Sequence, residues 1–166
     1  LRLGAPLGLL GLQPHTRRRN RMNGRVVALH ADGFTVRVDQ SFGNSTQYFQ
    51  AREPESVARA PGPAEIHGSC LTGAARALLD RADTLFIASA APHAGEPGAA
   101  TSQGVDVSHR GGLPGFVRIA DDGDTSVLTV PDHRGNFFFN TLGNLAARPP
   151  AGLLCVDPTT GDVLQI

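Results

Sequence analysis

The chain has 166 residues, no net formal charge, and 15 basic groups against 15 acidic ones, every basic group being an arginine. Without lysine, Schiff-base and P-loop chemistry are excluded, and phosphates or carboxylates fall to arginine forks and backbone amides. The length suits a domain able to bury a real core, neutrality argues against polyanion binding by the whole chain, and no apolar run reaches membrane-span length. The two cysteines, Cys70 and Cys155, are too few and too far apart for a disulfide framework or a zinc cluster. A cytoplasmic protein is therefore expected. The apolar start, Leu1 to Leu12, carries Arg2 and is interrupted by Gly4, Pro6 and Gly8, so it reads as a strand and not as a signal peptide.

In chain order, Leu7 to Leu12 is a short apolar run suited to a strand buried on both faces. Thr16 to Met22 is mostly arginine. Arg25 to His30 and Phe34 to Val38 flank the hairpin signal Ala31-Asp32-Gly33, so the first third reads as an antiparallel β-meander. Residues 52–66 hold Pro54, Pro61, Gly62 and Pro63 among charges, a linker or long loop. Ser69 is expected to cap a helix running to about Ala82. Thr84 to Ser89 reads as a buried strand, residues 90–103 as a loop. Phe116 to Ile119 and Val127 to Val130 read as strands around a turn at Asp121-Asp122-Gly123. A short helix is expected from Asn140, its N-cap, to Ala147, ended by Pro149 and Pro150. Gly152 to Val156 and Asp162 to Ile166 make a last hairpin.

One internal repeat is present. Pro6, Gly8, Leu9, Leu10, Pro14 and Thr16 align without gaps on Pro150, Gly152, Leu153, Leu154, Pro158 and Thr160. The shared register favours two tandem copies of one β-rich unit over two hairpins converging on common turn residues. The chain would then hold the back half of one unit (1–51), a linker (52–68) and the front half of a second unit (69–166).

Three stretches could carry chemistry. In Thr16-Arg17-Arg18-Arg19-Asn20-Arg21-Met22, a strand would put Arg17, Arg19 and Arg21 on one face, as a phosphate-binding ladder or a solvated surface. In Asp106-Val107-Ser108-His109-Arg110-Gly111-Gly112, paired glycines admit close backbone approach while Arg110 and Arg118 supply charge. Asp106 and His109 are two potential metal ligands without a third, so no metal is expected and His109 reads as solvent-facing. In Pro131-Asp132-His133-Arg134-Gly135-Asn136, an arginine-bearing loop leads through Phe137-Phe138-Phe139 to a helix start, a combination suited to a phosphate and a flat ring. There is no nucleophile triad, no paired-carboxylate site and no GxGxxG. No catalytic side chain is assigned, and Cys155 reads as inert.

Ser108-His109-Arg110-Gly111-Gly112-Leu113-Pro114-Gly115-Phe116-Val117-Arg118, Pro131-Asp132-His133-Arg134-Gly135-Asn136, Asn144-Leu145 and Ala151-Gly152-Leu153-Leu154 resemble the FMN-binding split β-barrel proteins related to pyridoxamine 5'-phosphate oxidase, over roughly residues 69–166. Gly8-Leu9-Leu10-Gly11, His15 to Arg21 and Gln40-Ser41-Phe42-Gly43-Asn44 resemble the tandem members of that group, some of them fused to ferredoxin-reductase-like modules. The resemblance implies a mainly β fold, a six-stranded antiparallel split barrel with short helices. FMN would lie between two barrels, in a homodimer or an intramolecular pseudo-dimer. Carried over by position, it points to Ser108, Arg110, Val117, Arg118, Arg134, Asn136 and Asn144 as flavin contacts, to which the ladder Arg17, Arg19 and Arg21 is added. Asn136 stands where pyridoxamine phosphate oxidases place a lysine on the phosphate, and Ser45-Thr46 where tandem relatives often carry Cys-Pro. The expected function is a flavin-dependent oxidoreductase acting on an unidentified small molecule. The alternatives are a flavin-free structural or binding barrel forming half of a pseudo-dimer, and an arginine-rich nucleic-acid-binding module. Against the latter, one tyrosine and no tryptophan offer little for base stacking.

Overall fold

Alternation and turn chemistry decide the first third of the chain. In a computed structural model, which describes residues 1–43, 45–135 and 137–166, strand β1 (Pro6–Gln13) turns through a 3-10 segment, Pro14–Thr16, into β2 (Arg18–Leu29). Strand β3 (Phe34–Gly43) follows the turn that contains Asp32 and Gly33. The three strands form one antiparallel meander in the order β1-β2-β3. The expected strands around Thr16–Met22 and Arg25–His30 are one continuous strand. Its register with β3 shifts between Asn23 and Gly24. Before the shift, odd-numbered Arg19, Arg21 and Asn23 are buried; after it, even-numbered Gly24 and Val26 are. The extra residue at this shift is Asp39 on β3, and a second shift between Val26 and Ala28 leaves Val27 as the extra residue on β2.

The second part is built around helix α1 (Gly73–Arg81) and a four-stranded antiparallel sheet. Strands β4 (Thr84–Ala90), β5 (Val105–Gly111), β8 (Ala151–Val156) and β9 (Val163–Gln165) lie in the order β5-β4-β8-β9. A separate antiparallel ribbon pairs β6 (Arg118–Asp122) with β7 (Thr125–Thr129). Helix α2 (Asn140–Ala147) packs on β4 and β5. Among the described residues the chain is thus mainly β, with antiparallel sheets and two short helices, and its sheets do not close into a barrel. No described helix is long and apolar enough to cross a membrane.

The helix starts differ from the sequence expectation. Thr72, not Ser69, caps α1, its hydroxyl accepting from the Ala75 amide at 3.2 Å. Ser69 instead donates to the Asp124 carbonyl at 2.7 Å, tying the chain to the β6–β7 turn. Asn140 lies inside α2, and the residue before it, Phe139, caps without a side-chain hydrogen bond. Before α1 several polar residues precede the apolar stripe and spacing alone does not choose among them, whereas α2 starts after an apolar residue that no capping signal marks.

The core lies where α1 meets β4 and β8. Leu79, Ala82, Leu85, Val117 and Cys155 form its buried centre, with Phe116, Ile119, Leu128 and Leu153 packed against it. Ala75 and Leu79, four residues apart, are the buried residues of α1, and Leu79 belongs to this core. Burial pushes the Cys155 thiol up to about 11. Residues 52–68 contain no helix or strand, but Arg59 ties them to the β8–β9 turn through Asp162 at 2.7 Å.

The two repeated stretches both form hairpins, and the pairings correspond. Leu10 opposite Arg21, Gly11 opposite Asn20 and Leu12 opposite Arg19 become Leu154 opposite Gln165, Cys155 opposite Leu164 and Val156 opposite Val163. A tandem duplication requires this identity of register. The side chains diverge: where the first hairpin buries Arg19 and Arg21, the second has Val163 and Gln165.

The first sheet meets the second through β5, an edge strand of the four-stranded sheet. At this junction Gly8 lies against Val107, where a Cβ would come within 3.3 Å of the valine side chain. Residues of β2 and β5 far apart in sequence are thereby brought together, which positions the site described next.

Candidate functional site

Buried polar groups set the junction. Arg21 donates through Nη1 to both carboxylate oxygens of Asp106, at 2.9 and 3.0 Å, with both side chains almost wholly buried. Asp106 also accepts from Asn23 at 3.4 Å and from the Thr141 hydroxyl at 3.0 Å. One carboxylate therefore joins β2, β5 and α2. Such a buried group is tolerable only because its oxygens are satisfied.

Arg19, two residues back on the same strand face, meets the imidazole of His109 and lies over the Phe49 ring, 5.3 Å from its centroid. His109 Nε2 lies 3.2 Å from the Gln47 carbonyl oxygen. A carbonyl only accepts, so Nε2 donates in this contact, and Arg19 lies against both ring nitrogens. Burial, and then the neighbouring Arg19 cation, push His109 down from the ordinary 6.5 to about 4, so the ring is neutral at pH 7. Burial, and then Arg21, lower Arg19 to about 10, which leaves it charged. Burial also lowers Arg21 and Arg110, opposed by Asp106 for the first and by Asp132 and Asp106 for the second.

Beside this cluster opens a cleft of about 70 Å³. Its floor is Arg21, His109, Arg110 and Gly111; its walls are Ser45, Gln47 and Tyr48 on one side and Pro131, Asp132, His133, Gly135, Phe137 and Phe138 on the other. The walls come from opposite ends of the sequence and are joined side by side. Tyr48 stacks on His133 with centroids 4.8 Å apart, and its hydroxyl donates to the Arg134 carbonyl at 3.2 Å. Phe42 stacks on Phe138 at 5.5 Å, and Arg21 lies over the Phe42 ring at 4.4 Å. Gly135, at φ +106°, turns the loop where a side chain would overlap the Gln47 amide.

The floor carries surplus hydrogen-bond donors. Arg21 Nε, Arg19 Nε and Nη2, and Arg110 Nη2 are buried and make no hydrogen bond among the described residues. Arg21 is paired with Asp106 and Arg110 feels both Asp132 and Asp106, yet the named donors stay unbonded, and unsatisfied donors of this kind mark where acceptors belong. The arrangement suits an anionic group at the floor and a flat apolar body along the walls.

Of the residues expected from sequence, Arg21 and Arg110 line the cleft. Ser108 is buried next to them on β5, and Arg134 contributes its carbonyl to the Tyr48 contact while its side chain is exposed. Val117 belongs to the core, Arg118 is exposed on the β6–β7 ribbon, and Asn144 donates to the Ser89 hydroxyl at 3.1 Å. Asn136 lies outside the described residues. The arginine ladder is not a row of three on one face. Arg17 turns away in a left-handed conformation (φ +58°) and is exposed, while Arg19 and Arg21 are buried. His109, expected to face solvent, is held by Arg19, Phe49 and Gln47. Gln47, Tyr48 and Phe42 were not singled out for their chemistry in the sequence. The one signal there was a polar, aromatic stretch after β3 lacking strand alternation. Among the described residues no group of three metal-ligating side chains occurs.

Comparison of the chain with family models, with curated proteins and with solved structures yields no match.

Proposed function

We propose that the cleft binds FMN, and that the chain is a flavin-binding domain of the split β-barrel group related to pyridoxamine 5'-phosphate oxidase, serving as an oxidoreductase for a small molecule. The observation that carries this reading is the pairing of unsatisfied, buried arginine donors at the cleft floor with aromatic pairs on its walls. A phosphate supplies the acceptors that Arg21 and Arg110 lack, and a flat ring system complements the walls. When bound, the flavin supplies the redox chemistry. The chain's own groups bind and orient it. Asp106 fixes the Arg21 guanidinium, and neutral His109 fixes Arg19 without adding a further positive charge.

In this reading residues 1–51 are the back half of one split-barrel unit and residues 69–166 the front half of a second. The matched hairpin registers support that division. Both parts contribute to the cleft, as expected for a pseudo-dimer with its ligand between units.

The test is titration of the purified chain with FMN, followed by flavin fluorescence. Saturable binding is expected, weakened about tenfold or more in Arg110→Met, which removes a charge-assisted contact worth on the order of 1.5–3 kcal/mol. Absence of FMN uptake by the wild-type chain, with a melting temperature indifferent to FMN, refutes the reading and favours the flavin-free barrel.

A further inference from the structure

Tyr48 differs from every other cleft residue in its backbone. Its φ is +58°, a value shared among the described non-glycine residues only with Arg17. The left-handed region is disfavoured for a bulky aromatic residue and persists only where the surroundings impose it. Here they do so from three sides. The Tyr48 carbonyl lies against Gly111, at a spot where any Cβ would overlap the oxygen. Its hydroxyl donates to the Arg134 carbonyl, and its ring stacks on His133. The neighbours are fixed as well: Gln47 accepts from His109, and Phe49 is buried edge-on to the same ring.

This strain is not offset by burial of the ring. The Tyr48 side chain is directed to the cleft, and the residue remains 42 % exposed. A core tyrosine would bury its ring, and a surface tyrosine would relax its backbone. Tyr48 does neither. Strained residues held in place around an open cleft are a recurrent feature of binding sites. The glycine at 111 completes the picture, because it lets the strained carbonyl seat directly on β5 next to Arg110.

We infer that Tyr48 is the specificity-determining residue of this cleft: its imposed backbone presents the phenol ring, backed by His133, as the platform on which the flat ring of the ligand rests. This rests on the proposed FMN reading and adds a division of labour to it. The arginine floor recognises the anion and accepts any phosphate. Tyr48 discriminates for phosphates that carry a planar ring system, by stacking.

The division is tested with Tyr48→Gly, Tyr48→Asn and Tyr48→Phe in the full chain, each titrated with FMN and, separately, with inorganic phosphate, alongside a thermal melt. Glycine and asparagine both accept the left-handed backbone without the ring. The expected result is a loss of FMN affinity of about tenfold or more in Tyr48→Gly and Tyr48→Asn, with unchanged phosphate affinity and a melting temperature equal to or above that of the wild type. Tyr48→Phe keeps the ring and stays within about threefold of the wild type for FMN. Wild-type FMN affinity in the ringless variants overturns the inference. So does an equal loss of FMN and phosphate binding together with a lowered melting temperature, the pattern of a merely structural residue. Failure of the wild-type chain to bind FMN removes the functional reading itself, and the inference falls with it.

Discussion

Replacing Asp106 by asparagine isolates the charge at the junction of the two parts of the chain. The side chain keeps its shape and one acceptor, but Arg21 loses its counter-charge while remaining almost fully buried. Removing one partner of a buried pair destabilises by about 3–5 kcal/mol, because the remaining charge stays desolvated. Asparagine keeps a partial acceptor for Thr141 and Arg21, so the lower end, about 3 kcal/mol, is expected. For a chain of this length that corresponds to a fall in melting temperature of roughly 6–12 °C. Urea unfolding monitored by circular dichroism supplies the free energy, and an unchanged slope confirms that the native state itself is affected. The double variant Arg21→Met with Asp106→Leu removes both charges and fills the space with apolar groups. Compared with the single variants Arg21→Met and Asp106→Leu, it should regain most of the stability they lose, giving a coupling of about 2 kcal/mol or more. A single variant within about 0.5 kcal/mol of the wild type, or a double variant equal to the sum of the singles, would refute the assignment of Asp106 as the counter-charge that makes Arg21 tolerable.

Two further outcomes follow from the same geometry. The depressed His109 value means that the unfolded chain binds a proton more readily than the folded one between about pH 6.5 and 4, so stability falls as pH is lowered through that window. The loss is on the order of 2–3 kcal/mol, and His109→Gln, which can still donate to Gln47 and accept from Arg19, should flatten the slope of melting temperature against pH there; an unaltered slope refutes it. Asp157, held below the ordinary carboxylate range by Arg81, adds a separate loss only below about pH 3.8. With the protein native at pH 8, iodoacetamide should modify exposed Cys70 and spare Cys155, whose thiol is buried and raised to about 11. Mass spectrometry showing two modified thiols per native chain would contradict the buried position.

The strands were legible in the sequence where alternation and turn residues agree, as at Asp32-Gly33 and in the β8–β9 hairpin, and the hairpin repeat survives as a shared register. What escaped was the sense of the arginine run. A row of guanidinium groups on a strand looks like a solvated or ligand-facing surface, since arginine is seldom buried. Nothing local announces that Asp106, 85 residues later, will draw Arg21 inside. The same limit hid His109, whose partners Arg19 and Gln47 lie 90 and 62 residues away. Arg110 was recognisable because its own neighbours, the paired glycines, signal close approach. Tyr48 was not, because a left-handed tyrosine is imposed by tertiary contacts and leaves no mark in composition. The six-stranded barrel implied by resemblance is not seen: the described strands form a three-stranded sheet, a four-stranded sheet and a ribbon that do not close.

The separation of the cleft walls along the chain bears on the order of folding. Each half can form its local hairpins quickly, but the Tyr48–Arg134 bond and the Arg21–Asp106 pair each close a loop of more than eighty residues. Such closures come late, because their entropy is lost before their contacts are gained. The cleft therefore comes into being only when the chain has finished docking its two parts. A ligand that occupies it binds the completed fold alone, and so acts as a latch on the last step of assembly.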